Sequence, residues 1–289
     1  MKKKNNIKIK KNSLEVKKNL EKGLHYYKLE QYQESQLFLE KVLELDPLNF
    51  SAIFISSVIA YRTKNYQLSA ELALICLNIK PNDNNLKKHY AYVLKNLKLY
   101  EKSIKIIKEA INDEPENGSL YKCLASIYES QECHQQSIIE YENAAKFDPT
   151  DPDIFNSLGV QLDAINQNEK AIENYKKSLS LKPNFPQAYS NMALSYLAIN
   201  AYETAENAIV KAIELDSSNS LYLTNHATIK NVLNETDEAI ESLKKALAID
   251  DGYKEASYNL ALTLLSIGQF QEAWKYYDSR WEVKSFNSK

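Results

Sequence analysis

Along most of the chain, apolar residues recur at three- and four-residue intervals, the spacing that puts them on one buried helical face. Residues 152–185 show it twice. Phe155, Leu158 and Leu162 share a face of one predicted helix, and Ile172, Tyr175 and Leu179 share a face of the next. Prolines separate the helix pairs. Five of the seven, Pro47, Pro81, Pro115, Pro149 and Pro183, stand 34 residues apart, and the same step reaches Ser217 and Asp251 in the matching contexts "ELDSSN" and "AIDDGY". A fixed period of this length predicts helix pairs stacked as a solenoid. With the proline at position 32, repeats start at 16, 50, 84, 118, 152, 186, 220 and 254. The array then covers 16–281, between a basic, flexible N-terminal tail over 1–15 and a short C-terminal tail over 282–289.

Two columns of this alignment hold only small residues. Position 8 is Gly23, Ser57, Ala91, Ala125, Gly159, Ala193, Ala227 and Ala261; position 20 is Ser35, Ser69, Ser103, Ser137, Ala171, Ala205, Ala239 and Ala273. Small side chains are needed where two helices cross so closely that longer ones would force the backbones apart. The remaining prolines, Pro152 and Pro186, fall at position 1, where a first helical turn tolerates a missing N–H. The position-32 prolines lie just past the second helix and stop it. The expected fold is all-α, a solenoid of about eight helix-turn-helix repeats.

Composition narrows the chemistry. Thirty-six basic residues against 38 acidic ones leave a net charge of -2, with no cationic excess to neutralise phosphates, so nucleic acid is not the expected partner. The basic run "MKKKNNIKIKK" lacks the apolar stretch of a secretory signal, and no window is apolar enough to span a membrane. Cys76, Cys123 and Cys133 form neither a C-x-x-C pair nor an even set, which argues against zinc and disulfides and for a reducing, cytoplasmic setting. His25, His89, His134 and His226 fall at four different repeat positions, so no histidine pair is spaced for a metal. His226 takes a place held elsewhere by Leu158, Met192 and Leu260, which predicts a packed histidine. Phosphate-cradling glycine loops and nucleophile motifs are absent from the sequence. No catalytic residue, metal or cofactor is assigned.

The repeat resembles the tetratricopeptide repeat family. In residues 186–219, Tyr189, Met192, Ala193, Tyr196, Tyr202, Ala205, Ile209 and Ala212 stand at that family's marked positions. The resemblance implies a right-handed superhelix with the first helices of each pair on the concave face, and a non-catalytic scaffold that binds protein or peptide ligands there. Position 6 of each first helix is then expected to face the groove: Glu21, Ile55, His89, Cys123, Ser157, Asn191, Asn225 and Asn259. An asparagine amide matches the donor and acceptor of a peptide unit. First helices about 10 Å apart would present Asn191, Asn225 and Asn259 to an extended peptide once every third residue, at roughly 3.3 Å per residue. O-GlcNAc transferases carry a comparable asparagine ladder. Asparagine is also the family's commonest residue at this position, so the run has a purely structural explanation beside the functional one. Lys88 and His89 are the other groove candidates. Phe54, Ile55, Tyr61, Tyr92 and Lys95 make the N-terminal groove more aromatic, as either a helix-binding surface or ordinary packing.

The last repeat departs from the rest. Phe270, Trp274, Tyr277 and Trp281 are spaced to share one helical face, Trp274 and Trp281 replace the usual aliphatics, and Arg280 replaces a small residue. A terminal repeat normally ends on a polar surface, so these residues are expected to form a docking surface or to fill the space of a missing ninth repeat. The series Trp274, Tyr277, Asp278, Arg280, Trp281 resembles the "W..YE.RW" ending of the last repeat in bacterial tetratricopeptide–glycosyltransferase proteins, with Asp278 for the usual glutamate. That resemblance implies an alternative role as the substrate-recognition arm of an O-GlcNAc-transferase-like enzyme, its catalytic domain or chain lying elsewhere. A homodimer through the aromatic end is a third expectation.

Overall fold

In the computed structural model of the chain, residues 2–282 are described, with side chains from 12 to 281. Residue contacts divide it into two compact units, Met1–Phe147 and Asp148–Lys289. The first holds four helix pairs: α1 (Lys2–Lys28) with α2 (Tyr32–Leu45), α3 (Phe50–Arg62) with α4 (Tyr66–Ile79), α5 (Asn84–Asn96) with α6 (Tyr100–Asp113), and α7 (Gly118–Ser130) with α8 (His134–Phe147). The second holds α9 (Pro152–Ala164) with α10 (Asn168–Leu181), α11 (Pro186–Ala198) with α12 (Tyr202–Leu215), α13 (Ser220–Val232) with α14 (Thr236–Ile249), and α15 (Lys254–Ser266) with α16 (Phe270–Tyr277). A 3-10 helix, Asp278–Glu282, follows α16. No strand occurs among the described residues.

The all-α, paired-helix architecture is the one the 34-residue period predicts. The first helix begins at Lys2, upstream of the repeat start at 16. From 283 onward the expected C-terminal tail lies outside the described residues.

Local chemistry punctuates each pair. Asn49, Asp83, Asn117, Asp151 and Asn219 occupy the last position of a repeat and cap the following first helix, their side chains accepting from backbone N–H groups of its first turn. Pro152 and Pro186 open α9 and α11. Within each pair the turn places position 15 in the left-handed region. Glu30, Lys64, Lys98, Glu132, Asn166, Asn200, Asn234 and Gly268 all have φ between 58 and 78°. The second unit fills this position with Asn and Gly, the residues that tolerate it best, whereas the first uses charged side chains.

The close crossing of paired helices is visible at positions 8 and 20. In the first unit every position-20 serine donates across to the position-8 carbonyl: Ser35 to Gly23 at 2.8 Å, Ser69 to Ser57 at 2.8 Å, Ser103 to Ala91 at 2.6 Å and Ser137 to Ala125 at 3.0 Å. In the second unit Ala171, Ala205, Ala239 and Ala273 fill the same slot and are fully buried. Core clusters then join each pair to the next, as Leu223, Leu243, Leu260 and Leu264 do in the second unit. Stability therefore builds by nearest-neighbour contacts.

Gly159 lies hard against the second helix of its pair. A Cβ there would stand 2.5 Å from a ring carbon of Tyr175, which is itself fully buried. Gly159→Ala gains helix propensity of about 0.5–1 kcal/mol but must push that ring aside, which costs about 1–3 kcal/mol. The expected net effect is a lower denaturant midpoint with an unchanged slope. A midpoint equal to or above the parent's would show that α10 relaxes to the spacing that Ala125 and Tyr141 adopt in the first unit.

Candidate functional site

In the first unit the face of the first helices is closed by its own side chains. His89 Nε2 lies 2.9 Å from Ser57 Oγ, and the rings of Phe54 and Tyr61 meet the imidazole edge-on at 5.7 and 5.8 Å. Burial drives the His89 pKa down to about 4. Asn96 donates to the Tyr61 hydroxyl and the Tyr92 carbonyl, and the Lys95 ammonium sits over the Tyr92 ring. Lys88 Nζ donates to Ser119 Oγ at 3.1 Å. Ile55 and Cys123, expected in the groove, are buried instead. Burial also pushes the thiols up, Cys76 to about 11 and Cys123 to about 12, so both remain protonated.

The second unit is more open and more polar on this face. Asn191 and Asn225 are half-buried, and each spends one amide N–H on the preceding first helix: Asn191 on Asn156 Oδ1 at 3.2 Å, Asn225 on Ser190 Oγ at 3.0 Å. Two cavities lie between first helices here. One, of about 370 Å³, is lined by Val160 and Asp163 of α9, Asn166 and Asn168 at the turn, Tyr175 of α10, and Asn191, Leu194, Ser195 and Ala198 of α11. The other, of about 420 Å³, is lined by Thr228, Asn231 and Val232 of α13, Asn234 and Thr236 at the turn, and Asn259, Leu262, Thr263 and Ser266 of α15. They are the same place two repeats apart: Asp163 corresponds to Asn231, Asn191 to Asn259 and Ser195 to Thr263, each 68 residues on.

Sequence reasoning placed Asn191 and Asn259 here but missed Asp163, Ser195, Asn231 and Thr263. A signal existed. Position 10 is aliphatic at Ile59, Val93, Ile127 and Ile229, polar at His25 and Gln161, and polar at the two residues that border the cavities, Ser195 and Thr263. Both are nearly fully buried, and buried hydroxyls require partners. Ser195 finds Asp163, while Thr263 donates to the Asn259 carbonyl and accepts from Asn231. His226, expected in the core, is half-buried with Nδ1 2.8 Å from Ser242 Oγ, and burial lowers its pKa, with the Lys230 charge adding to the effect.

At the C-terminal end the expected shared face of four aromatics is altered. Position 27 holds fully buried small or medium residues, including Ala212 and Ala246, and Arg280 cannot enter that slot. The α-helix ends at Tyr277, and Trp281 is carried on the 3-10 helix. The Arg280 guanidinium lies between the two rings, 4.3 Å from Tyr277 and 4.4 Å from Trp281. Trp274 meets Tyr277 edge-on at 5.0 Å. Phe270, Trp274 and Trp281 are each 58% exposed; Trp274 and Trp281 differ in this from their buried counterparts Ile172 and Leu179, because no further first helix covers them among the described residues.

Among the described residues no group of three or more His, Cys, Asp or Glu is placed to hold a metal ion, and no helix is long and apolar enough to cross a membrane.

Helix pairs of near-constant length, small residues at each crossing and a ligand-sized groove face define a helical-repeat protein. The chain carries tetratricopeptide repeats: profiles of that repeat match residues 20–84, 164–200, 186–219 and 233–280. Similar solved structures include a tetratricopeptide repeat protein from Parabacteroides merdae, at 14% identity and a TM-score of 0.69, covering 87% of this chain and 99% of that one. A chain of the APC/C hetero-tetramer Cut9–Hcn1 matches at 16% identity and a TM-score of 0.66, covering 89% of this chain and 51% of that one. YrrB, a TPR protein with an unusual peptide-binding site, matches at 18% identity and a TM-score of 0.52, covering 65% of this chain and 96% of that one. No curated protein matches the sequence.

The packing of His89 has a measurable consequence. Its ordinary pKa of 6.5 falls to about 4 in the fold. Above pH 6.5 folded and unfolded chains are both neutral here and stability is complete; as pH falls towards 4, only the unfolded chain takes the proton and stability is lost. Between pH 7 and 5 the wild type should therefore lose about 1–2 kcal/mol more than His89→Gln, measured by urea unfolding at each pH. Identical pH dependence in the two proteins would show that His89 is not held neutral by burial.

Proposed function

We propose that the chain is a protein–protein interaction scaffold whose second unit grips an extended peptide on the face of its first helices. The observation that carries this is the recurrence of one cavity at the same register, each copy containing a half-buried asparagine, Asn191 or Asn259. Asn225 stands midway between them in the repeat register. One N–H of Asn191 and one of Asn225 hold neighbouring helices together, which fixes the amide planes and leaves the second N–H and the carbonyl oxygen for a ligand. Such a set recognises backbone and selects poorly by sequence, so selectivity falls to the cavities. A role as scaffold needs no catalytic group, and His89 and Lys88, with their hydrogen bonds to Ser57 and Ser119, serve the first unit's own packing in this proposal.

The exposed Phe270, Trp274 and Trp281, with Arg280 locked between rings, favour a second role for the C-terminal end as a docking surface for a protein partner. The likeness of this last repeat to tetratricopeptide–glycosyltransferase proteins points to a glycosyltransferase domain or chain as that partner, with self-association as the competing occupant.

Each asparagine-to-alanine change should weaken binding of an extended peptide by about 0.5–1.5 kcal/mol, two- to tenfold. Fluorescence anisotropy with the Asn191→Ala, Asn225→Ala, Asn259→Ala triple variant checks this, and unchanged affinity would sink the ladder. For the C-terminal end, sedimentation across concentrations is decisive. A dimer dissolved by Trp281→Ala assigns the face to a second copy; a monomer that co-purifies with a sugar-nucleotide-binding chain, lost in Trp274→Ala, assigns it to the enzyme.

A further inference from the structure

The two cavities of the second unit differ in one chemical respect. In the α13–α15 copy the position-12 residue is Asn231, whose amide donates to Thr263 Oγ1 at 2.8 Å. In the α9–α11 copy it is Asp163, and the local groups are arranged to present a carboxylate. Tyr175 donates to Oδ2 at 2.7 Å, and the Ser195 hydroxyl lies 2.9 and 2.7 Å from Oδ1 and Oδ2. These two protons fill at most two of the four acceptor positions that a carboxylate offers, and the Ser195 hydroxyl also lies 3.2 Å from the Asn191 carbonyl oxygen. The remaining lone pairs belong to a group that lines the cavity, and no lysine or arginine among the described residues pairs with it.

An unneutralised carboxylate is costly to bury. Elsewhere in the same unit the opposite case is fully compensated: the buried Lys230 ammonium is ringed by Glu206, Glu235 at 2.6 Å and Glu238 at 2.9 Å. Asp163, half-buried where Lys230 is almost fully buried, lacks any such counter-ion, and partial burial holds its carboxyl above the usual range against the opposing hydrogen bonds from Ser195 and Tyr175. The rest of the lining suits an aliphatic stem with a cationic tip: Val160, Leu194 and Ala198 are apolar, while the amide side chains of Asn166, Asn168 and Asn191 line the same cavity as the carboxylate.

We infer that the α9–α11 cavity is a recognition pocket for a lysine or arginine side chain, with Asp163 as the counter-charge and Tyr175 and Ser195 as the residues that position it. The inference deepens the proposed peptide-binding role and rests on it for the source of the cation. Two first-helix steps of about 10 Å separate the cavities by roughly six residues of extended chain. An even separation puts both ligand side chains on the same side of the strand, so the motif is a basic residue and, about six positions away, a neutral polar one.

Two measurements test it. Methylguanidinium and n-butylammonium chlorides, titrated into 15N-labelled full-length protein, should shift the amides of Ser195, Asn191 and Val160 with saturation in the millimolar range. Sodium chloride should not, and Asp163→Asn should remove the response while keeping the remaining spectrum. A silent wild type, or a response unchanged in Asp163→Asn, overturns the pocket whatever peptides do. Selection from a randomised decapeptide library should enrich Lys or Arg at one position on the wild type and lose that enrichment on Asp163→Asn. Peptide binding without basic enrichment overturns the pocket and leaves the ladder standing. A cation response with no peptide bound at all keeps the pocket, removes the peptide as its source, and counts against the proposed function alone.

Discussion

The structure depends on how closely the two helices of each repeat cross. The columns at positions 8 and 20 hold nothing larger than serine, from Gly23 and Ser35 through Ala261 and Ala273, and a Cβ added at Gly159 would already meet the Tyr175 ring. Everything else follows from the short interaxial distance these small residues permit. The turn between paired helices is tight enough to force position 15 into the left-handed region, and the second helix is near enough for a position-24 side chain such as Tyr175 to reach its own first helix. The two units meet the constraint differently. Serines of the first add a hydrogen bond to each crossing, worth about 1 kcal/mol, whereas alanines of the second rely on contact alone.

Tyr175 connects this packing constraint to the candidate site. Its ring fills the space left by Gly159, and its hydroxyl emerges at Asp163 on the other side. The same geometry appears in the first unit, where Tyr141 donates to Glu129 at 2.7 Å. A position-24 tyrosine thus delivers a hydroxyl to a position-12 carboxylate wherever both are present. Ser195 supplies the second donor from the following repeat. The side chain that packs on Gly159 is therefore also the one that orients the carboxylate.

The C-terminal end shows what happens when the crossing rules lapse. Arg280 stands where every earlier repeat has a side chain small enough to be buried at position 27. The helix gives way to a 3-10 turn, the guanidinium stacks between Tyr277 and Trp281, and three large aromatics are left facing outward. The last described repeat thus presents an aromatic surface in which the Arg280 cation is held by Tyr277, Trp281 and the Asp278 carboxylate.

The sequence alone determined the repeat length, the helix pairs, the crossing positions and the asparagine column, because these follow from spacing and side-chain size within a few turns of helix. It also marked the last repeat as different through Trp274, Arg280 and Trp281. It did not determine which position-6 residues stay open. Asn191 remains half-buried while Ile55 and Cys123 are covered and His89 is enclosed by Phe54, Tyr61 and Ser57, and that depends on neighbours a whole repeat away. The pocket at Asp163 was hidden for the same reason. Its walls come from α9, the following turn, α10 and α11, and only the packed structure shows a carboxylate supplied with two donors and no cation. The outward tryptophans are likewise a tertiary outcome: they occupy core positions of the repeat, and burial there requires a following helix to complete it.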